Sequence, residues 1–191
     1  MSIQLNLHAF EPASRANGPG RRCVVWFQGC PLRCPGCFNP ETHAVDSVES
    51  TETSVIAERI VTELQAGHVL LDGVTFSGGE PLQQPYAFLD LLERLSGSGL
   101  STLCFSGYTL DEIGAQELGP QILAHLDVLI AGRYVASRRV GRALLGSENQ
   151  QLHLLTDRYR AEDFERVPGR EVILHADGSV TISGVDPWSP V

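Results

Sequence analysis

Apolar and polar positions along this chain switch between two periods, and the switches mark its elements. Ile3–Ala9 alternates weakly and predicts a short leading strand. Asn17–Gly20, NGPG, is a turn signal. Cys23–Phe27, CVVWF, is a short apolar run, the pattern of a buried strand. From Thr53 to Gln65, Ile56, Ile60, Val61 and Leu64 fall at helical spacing, and Gly67 ends the run. Val69–Phe76 reads as a strand broken by Ser77-Gly78-Gly79-Glu80-Pro81. Pro85–Leu95 is helical, with Phe88, Leu91, Leu92 and Leu95 on one face. Leu100–Phe105 and Val128–Ala131 are strands, with helices predicted at Leu110–Glu117 and Gln121–His125 between them. Arg138–Leu145 reads as a short helix or an ordered loop, and Leu152–Leu155 as a strand. Near the end, VILHADGSVTI sets Asp177-Gly178 between alternating runs, the mark of a β-hairpin.

Strands alternate with helices from Cys23 to about Ala131, which predicts an α/β fold with a parallel sheet and helices outside. Ligands of such sheets gather at the carboxyl ends of the strands. Four polar loops follow the four core strands: the cysteine loop, SGGEP, SGYT and AGRY. The strand order therefore opens all four onto one edge.

With 191 residues the chain is read as one domain: an extension over 1–20, a core over 21–156 and a helix and hairpin appendage over 157–191. A complete eight-unit barrel takes ~250 residues, so a partial barrel fits better. The formal net charge of −9 argues against a nucleic-acid-coating protein. No apolar run approaches the ~20 residues of a membrane span. The start, MSIQLNLHAFEPASR, lacks a basic flank before an apolar run, so a cytoplasmic location is expected. All fourteen basic residues are arginine. A GC-rich coding sequence accounts for that, but it excludes lysine Schiff-base chemistry and a phosphate-loop lysine.

Three of the five cysteines, Cys30, Cys34 and Cys37, lie in C-x-x-x-C-x-x-C spacing. A disulfide scaffold would use an even, dispersed set, so clustered thiols read as a metal site. Three thiolates on one loop suit three corners of a [4Fe–4S] cluster, which normally takes four cysteines, leaving one iron open for a ligand. The same inventory permits zinc, with His43 as a fourth ligand. Cys23 and Cys104 stand in apolar runs and read as buried strand cysteines.

GPGRRCVVWFQGCPLRCPGCFNPETH, followed by VTFSGGEPLQQP, resembles the radical S-adenosylmethionine (SAM) superfamily. Within it the chain is similar to the glycyl-radical-enzyme activases, the group of the anaerobic ribonucleotide reductase activating proteins. SGYTLDEI, and DVLIAGRYV followed by GSENQ, echo that group. The resemblance runs from about Gly18 to His153 and leaves the final hairpin unassigned. It implies a partial radical SAM β/α barrel, mostly parallel, with the hairpin appended.

The resemblance further implies that Cys30, Cys34 and Cys37 hold the cluster and that its open iron chelates SAM. Ser77, Gly78, Gly79 and Glu80 would form the loop receiving the methionyl amino group, the glycines by close backbone approach and the carboxylate by charge. Phe38 would pack near the adenine. Ser106 and Tyr108 would line the pocket, and Asn149 and Gln150 would line it or face a partner. The implied chemistry is reductive cleavage of SAM, driven by an external electron donor, to a 5′-deoxyadenosyl radical. That radical abstracts hydrogen from a glycine of a partner glycyl-radical enzyme. Ribonucleotide reductase activases often carry aspartate where Glu80 stands.

Two alternatives remain open at this point: a radical SAM enzyme acting on a small molecule or peptide, and a non-catalytic iron–sulfur or zinc module. Arg133–Arg142 carries four arginines and reads as a docking segment for an acidic partner or an anionic substrate, or as a solvated helix face. Asp127 reads as a structural cap or a monovalent-ion ligand near the pocket. Trp26 reads as core, and His8, His68, His125, His153 and His175 show no metal spacing.

Overall fold

The computed structural model describes residues 3–45, 50–66 and 70–186. In chain order the strands and helices are β1 (Gln4–Ser14), β2 (Arg22–Phe27), β3 (Ser50–Glu52), α1 (Thr53–Ala66), β4 (Gly73–Gly78), α2 (Pro85–Leu95), β5 (Ser101–Ser106), α3 (Leu110–Gly114) and α4 (Gly119–Ala124). There follow β6 (Val128–Ala131), β7 (Arg139–Arg142), β8 (Leu145–Ser147), β9 (Gln151–Leu154), α5 (Ala161–Glu165), β10 (Glu171–Leu174) and β11 (Val180–Ser183).

Seven strands form one sheet in the order β3-β1-β2-β4-β5-β6-β9. Its centre, β2-β4-β5-β6, is parallel throughout. On its flanks β1 is antiparallel to β2 and β9 to β6, and the edge strand β3, antiparallel to β1, runs with the centre. This is a mostly parallel α/β sheet with the strand and helix alternation of a partial barrel.

Parallel strands covered on both faces read as continuous apolar runs, and β2 and β6 do so here. On the helical side Cys23, Val25 and Phe27 of β2 and Val74 and Phe76 of β4 pack against Phe88, Leu91 and Leu92 of α2. Phe27, Phe76 and Phe88 meet edge to face, with centroids 5.0 to 6.4 Å apart. On the concave side Leu103, Val128 and Ile130 pack against Leu144 and Phe164.

Two residues after position 156 thus fill the concave side. Phe164 of α5 is fully buried, and Tyr159 meets it edge to face at 5.9 Å. Beside them Arg22 is also fully buried. Its guanidinium donates to Thr75 Oγ1 (2.8 Å), Val74 O (2.8 Å), Ser101 O (3.0 Å) and Ser101 Oγ (2.7 Å). It also reaches Tyr159 Oη at 3.2 Å and Pro19 O at 3.3 Å. Burial pulls its pKa below the ordinary arginine value.

Several predicted boundaries shift. The leading strand extends to Ser14, because it pairs with β2 across two register irregularities. The strand expected from Val69 starts at Gly73, while Gly67, His68 and Val69 lie outside the described residues. The helix expected over Leu110–Glu117 stops at Gly114, opened by Thr109 and Glu112 in a capping box. Arg138–Leu145 is neither helix nor loop. It is a hairpin, β7 against β8, turned by Ala143 and Leu144 at positive φ.

Phe164→Ala is expected to cost about 3–5 kcal/mol of apo-protein stability in urea unfolding. Val172→Ala, at a position 54% exposed, is expected to stay within about 0.5 kcal/mol. Equal losses would remove α5 from the core.

Candidate functional site

The cysteine loop leaves the end of β2. Its root is clasped by Gln28, whose amide donates to Glu41 O (3.0 Å) and Ala44 O (2.7 Å). Gly29 N donates to Thr42 O (2.8 Å) and Cys30 N to His43 O (3.3 Å), so the turn at Pro40–His43 closes the loop into a bracket. Within it Cys37 N bonds Cys34 O at 3.0 Å. Gly36 adopts φ +74°, where a Cβ would also lie 2.8 Å from Ala136 Cβ. Leu32 fills the space that a side chain at Gly107 would need.

Cys30, Cys34 and Cys37 line one cavity of about 120 Å³. Burial raises the Cys30 and Cys37 thiol pKa values. Backbone N–H groups of Leu32 and Arg33 pull the other way at Cys30, as Asn39 N does at Cys37 from 3.4 Å. Such N–H contacts favour the thiolate, the form that ligates metal. His43 lines the same cavity, and its Nε2 is buried without a hydrogen-bond partner. Three thiols around one cavity, those of Cys30 and Cys37 held by backbone N–H groups, fit a cluster ligated at three corners.

The second loop is built from β4. Its pairing with β2 reaches Phe27 opposite Gly78 and then runs on past the sheet. Gly79 N donates to Phe27 O (2.8 Å) and Glu80 N to Gly29 O (2.9 Å). A Cβ at Gly78 would lie 2.6 Å from Phe27 N and O, at φ +98°, and one at Gly79 would collide with the Gly29 carbonyl. The glycines let this loop lie directly on the root of the cysteine loop.

Glu80 turns inward and is 1% exposed. Its carboxylate accepts from Leu82 N (3.0 Å), Ser106 Oγ (2.9 Å) and Gly107 N (2.8 Å). Burial lifts its pKa to about 7 against these bonds. The carboxylate thus ties the loop after β4 to the loop after β5, with its oxygens engaged by protein donors.

Ser77, Gly78, Gly79, Glu80, Phe38 and Ser106 all line the cavity with the three cysteines. Tyr108 does not; it packs against the helical core with Arg133 5.7 Å above its ring. Gln150 lines the cavity, donating to Gly132 O (2.9 Å) and accepting from Gly146 N (2.8 Å). Asn149 lies outside it and donates to Arg133 O at 2.7 Å.

The sequence reading missed Tyr134, whose ring meets Phe38 edge to face at 5.1 Å. It also missed Gln28, which stands immediately before the Gly29-Cys30 step. Trp26 is not core. It is half-buried and lines an adjoining cavity of about 220 Å³ with Phe38, Ser77 and Phe105.

Other candidates fall elsewhere. Asp127 precedes β6, at the opposite end of the sheet from the cysteines. It is capped by Thr102 N (2.9 Å) and Thr156 Oγ1 (2.7 Å), so it is not a pocket ion ligand. In the basic segment Arg133, in the loop after β6, pairs with Glu112 (2.8 Å), and Arg139, on a hairpin rather than a helix face, pairs with Asp186 (2.7 Å). Cys23 and Cys104 are buried, with the Cys23 thiol pushed up to about 12. No helix among the described residues is long and apolar enough to cross a membrane.

The family model for a 4Fe-4S single cluster domain matches residues 16–153. The anaerobic ribonucleoside-triphosphate reductase-activating protein of Escherichia coli K12 is 32% identical over 156 residues, covering 79% of this chain and 99% of that one. The pyruvate formate-lyase-activating enzyme of Clostridium pasteurianum is 36% identical over 129 residues, covering 65% of this chain and 50% of that one. Among solved structures, QueE from Escherichia coli superposes with a TM-score of 0.44 and 17% identity, over 56% of this chain and 54% of that one.

The Glu80 geometry sets a pH dependence. Its folded pKa of about 7 lies above the ordinary 4.5, so the folded chain holds the proton longer than the unfolded one. The contribution is complete below pH 4.5 and is lost as pH rises through about 7. Glu80→Gln is expected to flatten the decline of apo-protein stability across that window, measured by urea unfolding at stepped pH. An unchanged slope would place the titration elsewhere.

Proposed function

This chain belongs to the 4Fe-4S single cluster domain family, with the anaerobic ribonucleoside-triphosphate reductase-activating proteins among its relatives, and from that premise we propose that it is a radical SAM activase. Its substrate is a glycine of a partner glycyl-radical enzyme. The observation that carries this reading is the convergence of Cys30, Cys34 and Cys37 with Ser77, Gly78, Gly79 and Glu80 around one cavity. The bound cluster and SAM supply one-electron cleavage of a carbon–sulfur bond and the hydrogen abstraction that follows.

The chain's own residues bind and orient. Cys30, Cys34 and Cys37 would hold the cluster. Gly78 and Gly79 set the loop after β4 directly against the cysteine loop, so their backbone is the surface offered to the methionyl group. Glu80 acts as a positioning residue: its carboxylate fixes the loops after β4 and β5 relative to each other. Phe38 and Tyr134 form an edge-to-face pair at the rim and offer an aromatic wall for the adenine. Ser106 and Gln150 complete the lining. Tyr108 acts from behind, through Arg133 and the loop packing. An external donor supplies the electron, and a cytoplasmic location is in keeping with thiols kept reduced.

Trp26, Phe105 and Ile182 border the adjoining cavity beside the cysteine mouth, together with polar His8, Asn17, Asn39 and Glu41. It is the place for an extended glycine-bearing segment of the partner.

Anaerobic reconstitution is expected to load about four irons per chain and, with SAM and dithionite, to release 5′-deoxyadenosine. Cys34→Ala is expected to abolish that release, and wild-type turnover in it would refute the ligand set. Gly79→Ala is expected to retain iron yet lose at least tenfold in SAM affinity, because the two loops must part. The activase assignment itself rests on a glycyl-radical doublet appearing in the spin-resonance spectrum of a candidate partner. SAM cleavage without that doublet on any glycyl-radical partner would move the assignment to another substrate.

A further inference from the structure

At the other end of the sheet the chain forms a larger cavity, of about 910 Å³. One wall is the turn of Gly18, Pro19 and Gly20 with Arg21. The other is the stretch between β9 and β10, through Arg158, Tyr159 and Arg166. That second wall lies beyond residue 153, where the family match ends. The cavity is therefore built partly from sequence outside the family domain.

Its electrostatics oppose those of the whole molecule. The chain carries a formal −9, yet Arg15, Arg21, Arg158 and Arg166 all line this cavity against two carboxylates, Asp72 and Asp163. Both carboxylates are engaged by backbone: Asp72 accepts from Arg21 N at 2.8 Å and Asp163 from Arg160 N at 2.9 Å. Of the four arginines, only Arg158 has an ion-pair partner among the described residues, Asp127 at 3.9 Å; it also donates to Gly99 O. Guanidinium groups gathered around a concavity repel one another and suit a multiply charged planar or tetrahedral anion, which they bind bidentately.

The walls are fixed before any ligand arrives. Buried Arg22 donates to Pro19 O on one wall and Tyr159 Oη on the other. Tyr159 also shares a 2.6 Å hydrogen bond with Ser101 Oγ. Leu70, Val167 and Pro168 give the recess an apolar side. A recess with one apolar side and cations on its walls accepts a small molecule with a flat group and a charged chain. A flat patch would instead suit an acidic protein surface.

We propose that this cavity is a second binding site, for a small molecule joining a planar ring system to a chain of phosphates, a nucleoside polyphosphate by class. The site stands apart from the cysteine mouth and does not rest on the activase reading.

Calorimetric titration of the full, cluster-loaded chain tests it with ATP, tripolyphosphate and adenosine as probes. ATP is expected to bind one to one, tripolyphosphate at least threefold more weakly, and adenosine not measurably. The double variant Arg21→Gln/Arg166→Gln, at surface positions, is expected to lose at least tenfold in ATP affinity with unchanged thermal unfolding. Saturating SAM is expected to leave ATP binding as it was. No binding of ATP would overturn the site, as would equal affinity in the double variant or displacement by SAM. Tripolyphosphate binding as tightly as ATP would overturn the planar-group assignment. A polyglutamate peptide binding where ATP does not would transfer the surface to an acidic protein partner.

Discussion

The structure depends on a backbone pairing that does not stop where the sheet stops. β2 and β4 continue to bond through Gly79 N to Phe27 O and Glu80 N to Gly29 O, after each strand has become a loop. Two loops far apart in sequence are thereby held in register as rigidly as strands. This is possible only because Gly78 and Gly79 present no side chain to the opposing main chain. The thiols hang from one loop and the Ser77–Glu80 turn from the other, so strand register fixes the spacing between them. Glu80 extends the same logic sideways, fastening the pair to the loop after β5.

The second constraint is the interior of so short a barrel. Six-residue strands such as β2, β4 and β5 span about 20 Å, and their concave side must be filled at one end if it is open at the other. The filling comes from outside the parallel core: Leu144 from the turn of the β7–β8 hairpin and Phe164 from α5. Beside them Arg22 supplies a polar plug, every donor directed at protein oxygen. The cysteine loop and the Ser77–Glu80 turn meet at the other end, beyond the carboxyl ends of the strands.

Much of this was legible in the sequence. Strand and helix alternation marked the parallel block, and loop order brought the cysteines, the Ser77–Glu80 segment and Ser106 to one edge. The rest failed for identifiable reasons. CVVWF is apolar at every position, so no alternation distinguishes its two faces, and Trp26 was assigned to core although it faces the cavity. For Gly78 and Gly79 the sequence signals close backbone approach to a ligand, but not the equally close approach to Phe27 and Gly29. The charge of Glu80 is plain in the sequence, but its burial and its three protein donors are not. The hairpin at β7 and β8 is too short and too poor in β-branched residues to signal itself, with Val140 its lone example. Tyr108 and Asn149 sit beside cavity-lining neighbours, and spacing alone does not reveal which of two adjacent side chains turns inward.

Arg22 gives the absence of lysine a second meaning. Across the surface, one basic residue serves much as another, and coding bias is a sufficient account. At position 22 the two are not interchangeable. The guanidinium is a flat fork of five donors, and its acceptors, Thr75, Val74, Ser101, Tyr159 and Pro19, are spread around that fork. An ammonium on a flexible stem has three donors and a stronger hold on water, so the swap would strand buried oxygens and keep a wet cation in a dry place. Here the genetic alphabet and the physics of the interior select the same letter independently.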